Sequence, residues 1–167
     1  TDPNWSPDGR KILFAHSREG GGDPASDLRI LDLDTHQVTV IPGSTGLFSA
    51  RWSPDGRYLA AFPMDSLGMR TYDFQTRKWT TVLEGGFAGF DRWSRDSQWV
   101  YFINARQNPG VFRVHPAGGT PQLVVDLKAY PWTGYFGVWM GLDANDNPML
   151  LRNIGTDDIY SLTLGRQ

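Results

Sequence analysis

The chain has 167 residues, with 16 basic and 18 acidic side chains, a formal charge of −2 and no cysteine. This composition excludes disulfide and thiol chemistry, and it disfavours direct nucleic-acid binding, which needs a basic patch to neutralise phosphates. No apolar stretch approaches the roughly 20 residues that a membrane-spanning helix requires.

A hexapeptide that occurs three times organises the chain. Trp-Ser-Pro-Asp-Gly-Arg occupies residues 5–10 and 52–57, and a degenerate copy, Trp-Ser-Arg-Asp-Ser-Gln, occupies residues 93–98. The copies start 47 and 41 residues apart, which is the period of four-stranded propeller blades. Ser, Pro, Asp and Gly are turn residues, because Pro presets φ, Ser and Asp bond the backbone, and Gly accepts a left-handed conformation. We therefore predict that each copy connects the first two strands of a blade.

Short apolar runs bounded by turns predict strands on both sides of each hexapeptide. No stretch has the periodicity of an amphipathic helix, so the chain is predicted to be all-β. The predicted units are about 1–46, 47–86, 87–134 and 135–167. The predicted strands are 11–15, 28–33 and 38–41 in the first unit, 47–51, 57–62, 70–74 and 79–83 in the second, 87–92, 98–103, 110–114 and 122–125 in the third, and 136–142, 148–152 and 159–164 in the degenerate fourth.

The hexapeptide, the apolar strand after it and a later strand ending in Asp-Leu-Asp-Thr (residues 32–35) resemble the WD-like repeat of TolB-type β-propellers. The resemblance implies a six- or seven-bladed propeller in the parent protein, with about four blade units of four antiparallel strands in this chain. The stretch 139–160 also resembles the closing blade of propellers found on the C-terminal side of bacterial winged-helix regulators. That likeness implies an upstream DNA-binding domain in the parent.

The chain starts and stops inside a blade, so we expect an incomplete ring. An exposed terminal blade leaves unpaired strand edges and an apolar face. We therefore expect two copies to associate as a homodimer through their terminal blades.

Two loops that differ between the repeats are the candidate binding sites. The Gly-rich loop 17–27, with Arg18 and Asp23, is either an insertion or a phosphate cradle, and the insertion is favoured because no helix follows it. The second loop, 130–136, is rich in aromatic residues that either form a platform for a partner or pack the seam between blades. Its candidate residues are Tyr130, Trp132, Tyr135 and Phe136.

The sequence assigns no catalytic, cofactor or metal-binding residue. No Gly-x-Ser-x-Gly elbow is present. His36 and His115 fall in equivalent outer turns of different units and His16 follows the second strand of the first unit, so we expect neither cofactor nor metal. We interpret the chain as a non-catalytic scaffold that binds a protein, a peptide or a small ligand in a larger bacterial protein, periplasmic or cytoplasmic. The alternatives are the gating propeller of a prolyl-oligopeptidase-like peptidase, and a hydrolase or lyase with acidic residues in the channel.

Overall fold

The computed structural model describes residues 2–16, 26–65, 67–106, 108–132 and 138–155. These ranges contain fourteen strands and no helix. The strands are β1 (Asn4–Trp5), β2 (Lys11–His16), β3 (Asp27–Asp32), β4 (Val38–Val40), β5 (Leu47–Trp52), β6 (Tyr58–Pro63), β7 (Leu67–Asp73), β8 (Lys78–Phe87), β9 (Gly89–Trp93), β10 (Val100–Asn104), β11 (Gly110–Val114), β12 (Gln122–Asp126), β13 (Met140–Leu142) and β14 (Pro148–Leu150).

The strands form antiparallel sheets in chain order. β1–β4, β5–β8 and β9–β12 are four-stranded sheets, and β13 and β14 form a two-stranded sheet. The first strands contact one another successively, β1 with β5, β5 with β9 and β9 with β13. This arrangement confirms the predicted all-β propeller, and over the described ranges the sheets do not close a ring. The strand predicted at 159–164 lies outside the described residues.

The repeated hexapeptide forms the same turn in each copy. The serine hydroxyl donates to the aspartate two residues later at 2.5–2.6 Å and accepts the backbone N–H five residues later at 2.8–2.9 Å. The aspartate in turn accepts the N–H two residues after it at 3.0 Å. Gly9 and Gly56 close the intact turns with φ of 70° and 73°. The predicted hairpin connection is therefore confirmed.

Ser97 takes the glycine position in the degenerate copy. Its φ is 60°, a conformation that is unfavourable for residues with a side chain. The Ser97 hydroxyl accepts a hydrogen bond from the backbone N–H of Asp55 at 3.1 Å, and the residue is buried. The contact that links the second and third sheets offsets the strain of the lost glycine.

The hydrophobic core lies in the seams between sheets, as β6 illustrates. Leu59 and Ala61 belong to the cluster shared with the first sheet, whereas Ala60 and Phe62 belong to the cluster shared with the third sheet. Because successive side chains of a strand point to opposite faces, both faces of β6 are covered. A continuous apolar run is the expected sequence of such a strand.

The backbone is irregular three residues before each repeated tryptophan, in or just before the first strand of the sheet. Asp2, Ser49 and Phe90 have φ of 55°, 49° and 55°. The register of strand pairing also shifts here, between Phe48 and Arg51 in one sheet and opposite this position in the β9–β10 pair. Left-handed conformations cost about 1–2 kcal/mol for such residues, and bulges re-aim the neighbouring side chains. These positions border the site described next.

Within the described ranges there is no helix of the length and apolarity needed to cross a membrane.

Candidate functional site: the inner-strand pocket

A cavity of about 420 Å³ lies at the first strands of the second and third sheets, beside the start of β13. Its polar lining consists of Ser49, Arg51, Asp91 and Arg92. This volume falls in the range of about 300–1,000 Å³ that is typical of small-ligand sites. We call this cavity the inner-strand pocket.

Aromatic side chains form the apolar wall of the inner-strand pocket. Phe48 and Phe62 also contact the seam cores, whereas Phe90 and Trp139 remain 37% and 36% exposed. The guanidinium of Arg106 lies 5.0 Å from the ring centroid of Phe87, another wall residue, in a cation–π contact. The pocket therefore combines exposed aromatic surface with an excess of arginine.

An ion pair between two sheets lies at one side of the pocket. Arg51 Nη2 lies 2.8 Å from Asp2 Oδ1, and the Ser49 hydroxyl donates to Asp2 Oδ2 at 2.6 Å. Burial opposes ionisation of Asp2, but the hydrogen bonds from Arg51 and Ser49 outweigh it and hold the pKa of this carboxyl below its usual value. Asp2 is thus ionised at neutral pH and balances the charge of Arg51.

Asp91 is the unusual group of the pocket. The residue is 1% exposed, and its Oδ2 atom has no hydrogen-bond partner among the described residues. Burial raises the pKa of Asp91 to about 7, although the charges of Arg51 and Arg92 act in the opposite direction. A buried carboxyl oxygen without a partner costs free energy, and strongly shifted groups at cavities are typical of functional sites.

Arg92 follows Asp91 on β9 and holds the position that Arg51 holds on β5. Each guanidinium donates to the carbonyl of the residue before it, Arg51 to Ala50 at 3.0 Å and Arg92 to Asp91 at 2.7 Å. Within the described ranges, the ion pairs include one for Arg51 and none for Arg92. Among the residues that the structure describes, no carboxylate neutralises Arg92 by an ion pair.

Trp139 stands at the pocket because of a glycine. Gly141 pairs with Met149, in the register that Arg51 and Arg92 have in their own sheets. A Cβ atom on Gly141 would lie 2.7 Å from the ring of Trp139. The missing side chain thus leaves space for the indole beside the pocket.

The structure describes two of the six residues predicted for the binding loops. Tyr130 and Trp132 pack against the core between the third sheet and β13–β14, and their ring centroids are 4.9 Å apart. Trp132 also pairs with Arg152. Arg18, Asp23, Tyr135 and Phe136 lie outside the described residues. A binding role for these six residues stays a prediction.

Trp132→Ala is expected to lower the free energy of unfolding by about 2–4 kcal/mol, because a large ring leaves a core contact. The measurement is urea denaturation followed by circular dichroism. Trp139→Ala is the matched control, since this exposed ring should cost less than about 1 kcal/mol. Equal losses for the two variants would contradict the structural role of Trp132.

The residues of the inner-strand pocket were not among the predicted site residues. Arg51 and Arg92 each precede a repeated tryptophan, and Asp91 stands where the second unit has the buried Ala50. A charged residue at a position where another unit has an alanine was the available signal. It indicates a function more strongly than a polar loop does.

Comparison with known proteins gives one partial relative and several structural matches. No family model matches the chain. Over 59 residues, 34% of this chain, it is 42% identical to the uncharacterized peptidase YuxL of Bacillus subtilis (strain 168), and the match covers 8% of that protein. TolB from Acinetobacter baumannii matches with a TM-score of 0.64 and 21% identity, over 87% of this chain and 35% of the other.

Two structures of enzymes also match. A prolyl endopeptidase structure has a TM-score of 0.59 and 16% identity, over 84% of this chain and 23% of its own. Oligogalacturonate lyase from Vibrio parahaemolyticus has a TM-score of 0.53 and 18% identity, over 71% of this chain and 37% of its own. The matches to these four proteins cover between 8% and 37% of their length.

The prediction that the chain is not an enzyme is contradicted by these names, which include a peptidase, an endopeptidase and a lyase. That prediction relied on the lack of a nucleophile motif. The reasoning fails because one fold hosts many activities, and the reacting groups need not lie in the stretch that carries the repeat.

The strand order and the structural matches agree on the architecture. Four successive antiparallel sheets, three of them with four strands, are arranged with their first strands adjacent. The TolB structure shares this fold over most of the chain. The fold is that of a TolB-like β-propeller.

Proposed function

We propose that this chain supplies the propeller of a peptide-processing enzyme and that the inner-strand pocket holds part of the peptide. The observation that carries the proposal is the 42% identity over 59 residues to a protein named as a peptidase. The match to a prolyl endopeptidase structure supports the same class at the level of fold.

The chemistry of the pocket suits a peptide. A peptide presents N–H donors, carbonyl acceptors and side chains. Arg92 can donate to a carbonyl or carboxylate oxygen, and it has a charge that no described carboxylate balances within ion-pair distance. The exposed rings of Phe90 and Trp139 can cover an apolar side chain. Rigid strands hold these groups in place, which lowers the entropic cost of binding.

A second candidate function is a binding or sensing module of a larger bacterial protein. The TM-score of 0.64 to a TolB structure favours it, and the same pocket would hold a segment of a partner or a small ligand. The upstream DNA-binding domain and the homodimer stay predictions within this candidate. The two candidates differ in whether the full-length protein cleaves the peptides that it binds.

The test uses the full-length protein and a library of fluorogenic peptides of varied sequence. Phe90→Ala is expected to raise KM by about 5–10-fold and leave kcat nearly unchanged, because it removes apolar binding surface. Leu123→Ala, an exposed residue on β12, is the control and should change neither constant. Binding without hydrolysis supports the second candidate. If the full-length protein neither binds nor hydrolyses any of the peptides, both candidate functions are contradicted.

A further inference from the structure

We propose that the inner-strand pocket recognises the free carboxylate of a peptide's C-terminal residue, with Arg92 as its donor and the aromatic wall as the seat of the terminal side chain. This inference rests on the proposed function and specifies the kind of peptide end that the pocket accepts. It depends on the charge, burial and shape of the pocket.

The charge balance favours an anion. Asp2 already neutralises Arg51 through an ion pair at 2.8 Å. Arg92 has no carboxylate within ion-pair distance among the described residues, and Arg106 stacks on a wall residue nearby. A cationic group such as a peptide's amino terminus would meet this positive excess, whereas a carboxylate would neutralise it.

Asp91 acts on a bound carboxylate through its charge, because its side chain is buried beside the pocket. The groups that act on it are Arg51 on β5, Asp2 before β1 and Arg92 beside it on β9. Burial places its pKa near 7, so a neutral carboxylic acid is readily available at slightly acidic pH. The neutral form carries no charge that would repel a carboxylate bound to Arg92.

Binding of a carboxylate therefore couples to proton uptake. A second negative charge near Asp91 disfavours its ionised form, so the pKa of Asp91 rises further in the complex. The complex then holds more protons than the free protein at pH values around 7. By linkage, the affinity for a free carboxylate rises as the pH falls from 8.5 to 6. A cation bound to ionised Asp91 would show the opposite trend.

The aromatic wall selects the residue that carries the carboxylate. Phe90 and Trp139 expose more than a third of their surface, and the cavity of about 420 Å³ has room for a side chain beside the carboxylate. A large apolar side chain at the C-terminus buries this surface, whereas a glycine leaves it in water. We therefore expect a preference for terminal phenylalanine or leucine.

The experiment measures fluorescence anisotropy of the purified protein with two peptides labelled at the N-terminus, Ala-Ala-Ala-Phe as the free acid and as the C-terminal amide. At pH 6 the free acid is expected to bind about 10-fold more tightly, as a charge-assisted hydrogen bond requires. Its affinity should fall by about 5–10-fold between pH 6 and pH 8.5. The affinity of the amide should change little.

Three variants separate the roles. Arg92→Gln should lose the preference for the free acid, and Asp91→Asn should keep most of this preference but lose its pH dependence. Arg70→Gln removes the same charge at an exposed position of β7 and should behave as the parent. Circular dichroism at 25 °C verifies that each variant is folded.

Each outcome decides between the proposals. Equal affinity for acid and amide, or an unchanged pH dependence in Asp91→Asn, would overturn the carboxylate site and leave peptide binding intact. Tighter binding of the free acid with rising pH would have the sign opposite to the one expected from Asp91 and would also overturn the carboxylate site. If neither peptide binds at millimolar concentration while the full-length protein cleaves peptides, only this inference fails. If neither peptide binds and the full-length protein also cleaves no peptide, the proposed function fails as well.

Discussion

At pH 8.5, Asp91→Asn is expected to raise the free energy of unfolding by about 1–3 kcal/mol. The unsubstituted protein must keep an ionised carboxylate in a buried position at this pH, because the pKa of Asp91 is about 7. An amide of the same shape has no charge to desolvate. The gain stays below the full cost of the charge, since the amide also needs hydrogen-bond partners.

The sign of the pH dependence follows from proton counts. In the unfolded chain, the carboxyl has its usual pKa of 3.8, and in the folded chain its pKa is about 7. Between these values the folded state holds more protons than the unfolded state, so the free energy of unfolding falls as the pH rises. The loss is complete above about pH 7. The advantage of the asparagine variant should therefore shrink from pH 8.5 to pH 5.

Urea denaturation of parent and variant at pH 5, 7 and 8.5 measures this difference and cancels the contributions of other groups. Asp34→Asn is the control, because Asp34 is exposed and pairs with Arg10, which is exposed too; such pairs contribute little. Its difference from the parent should be constant over this range. An equally constant difference for Asp91→Asn would contradict the buried, shifted carboxyl.

Ser53→Ala is expected to lower the free energy of unfolding by about 2–4 kcal/mol. The Ser53 hydroxyl is fully buried, donates to Asp55 at 2.5 Å and accepts from the Tyr58 N–H at 2.8 Å. Its removal leaves a backbone donor without that acceptor and a carboxylate without its closest donor. The unpaired N–H costs about 1–3 kcal/mol, and the lost bond to Asp55 adds about 1 kcal/mol, because this carboxylate is exposed to water.

A double-mutant cycle with Asp55→Ala tests whether the turn acts as a unit. Ser53 and Asp55 share one hydrogen bond. The summed losses of unfolding free energy in the two single variants should therefore exceed the loss in the double variant by about 1–2 kcal/mol. Thermal unfolding and urea denaturation both report these values. Additive losses, or a loss below 1 kcal/mol for Ser53→Ala, would contradict the coupled turn.

The local part of the fold was predictable because its interactions are local. The serine, the aspartate and the backbone groups that they bond lie within six residues of one another. Turn chemistry and alternating apolar residues therefore predicted the connection and the strands on both sides of it. The period of the repeat then predicted the propeller.

Identical tryptophans of the repeat show where this reasoning ends. Trp5 is 60% exposed, whereas Trp93 is buried and donates from Nε1 to Arg51 O at 3.1 Å. Trp52 stacks on Phe74 at 4.9 Å, and its Nε1 is buried without a partner in the described residues. The neighbouring sheet decides these differences, so the repeat alone could not predict them.

The candidate site was missed for the same reason. Asp2 and Arg51 are 49 positions apart in the chain yet bond at 2.8 Å, because equivalent positions of successive units meet at the first strands. The predicted loops were chosen because they differ between repeats. The first strands also differ between repeats, as at Asp91, where the second unit has alanine. The role of such a difference depends on the residues of the neighbouring sheet, which the sequence does not specify.

The sequence by itself determined the all-β class, the repeated turn and the order of the strands, since these follow from contacts among near neighbours and from one period. Only the tertiary structure decided which side chains share a pocket, because bulges at Ser49 and Phe90 redirect the strands. It alone placed Asp91 in a buried position beside Arg92, with an Oδ2 atom that no described residue bonds. Burial and pairing are properties of the assembled sheets, and no single unit contains them.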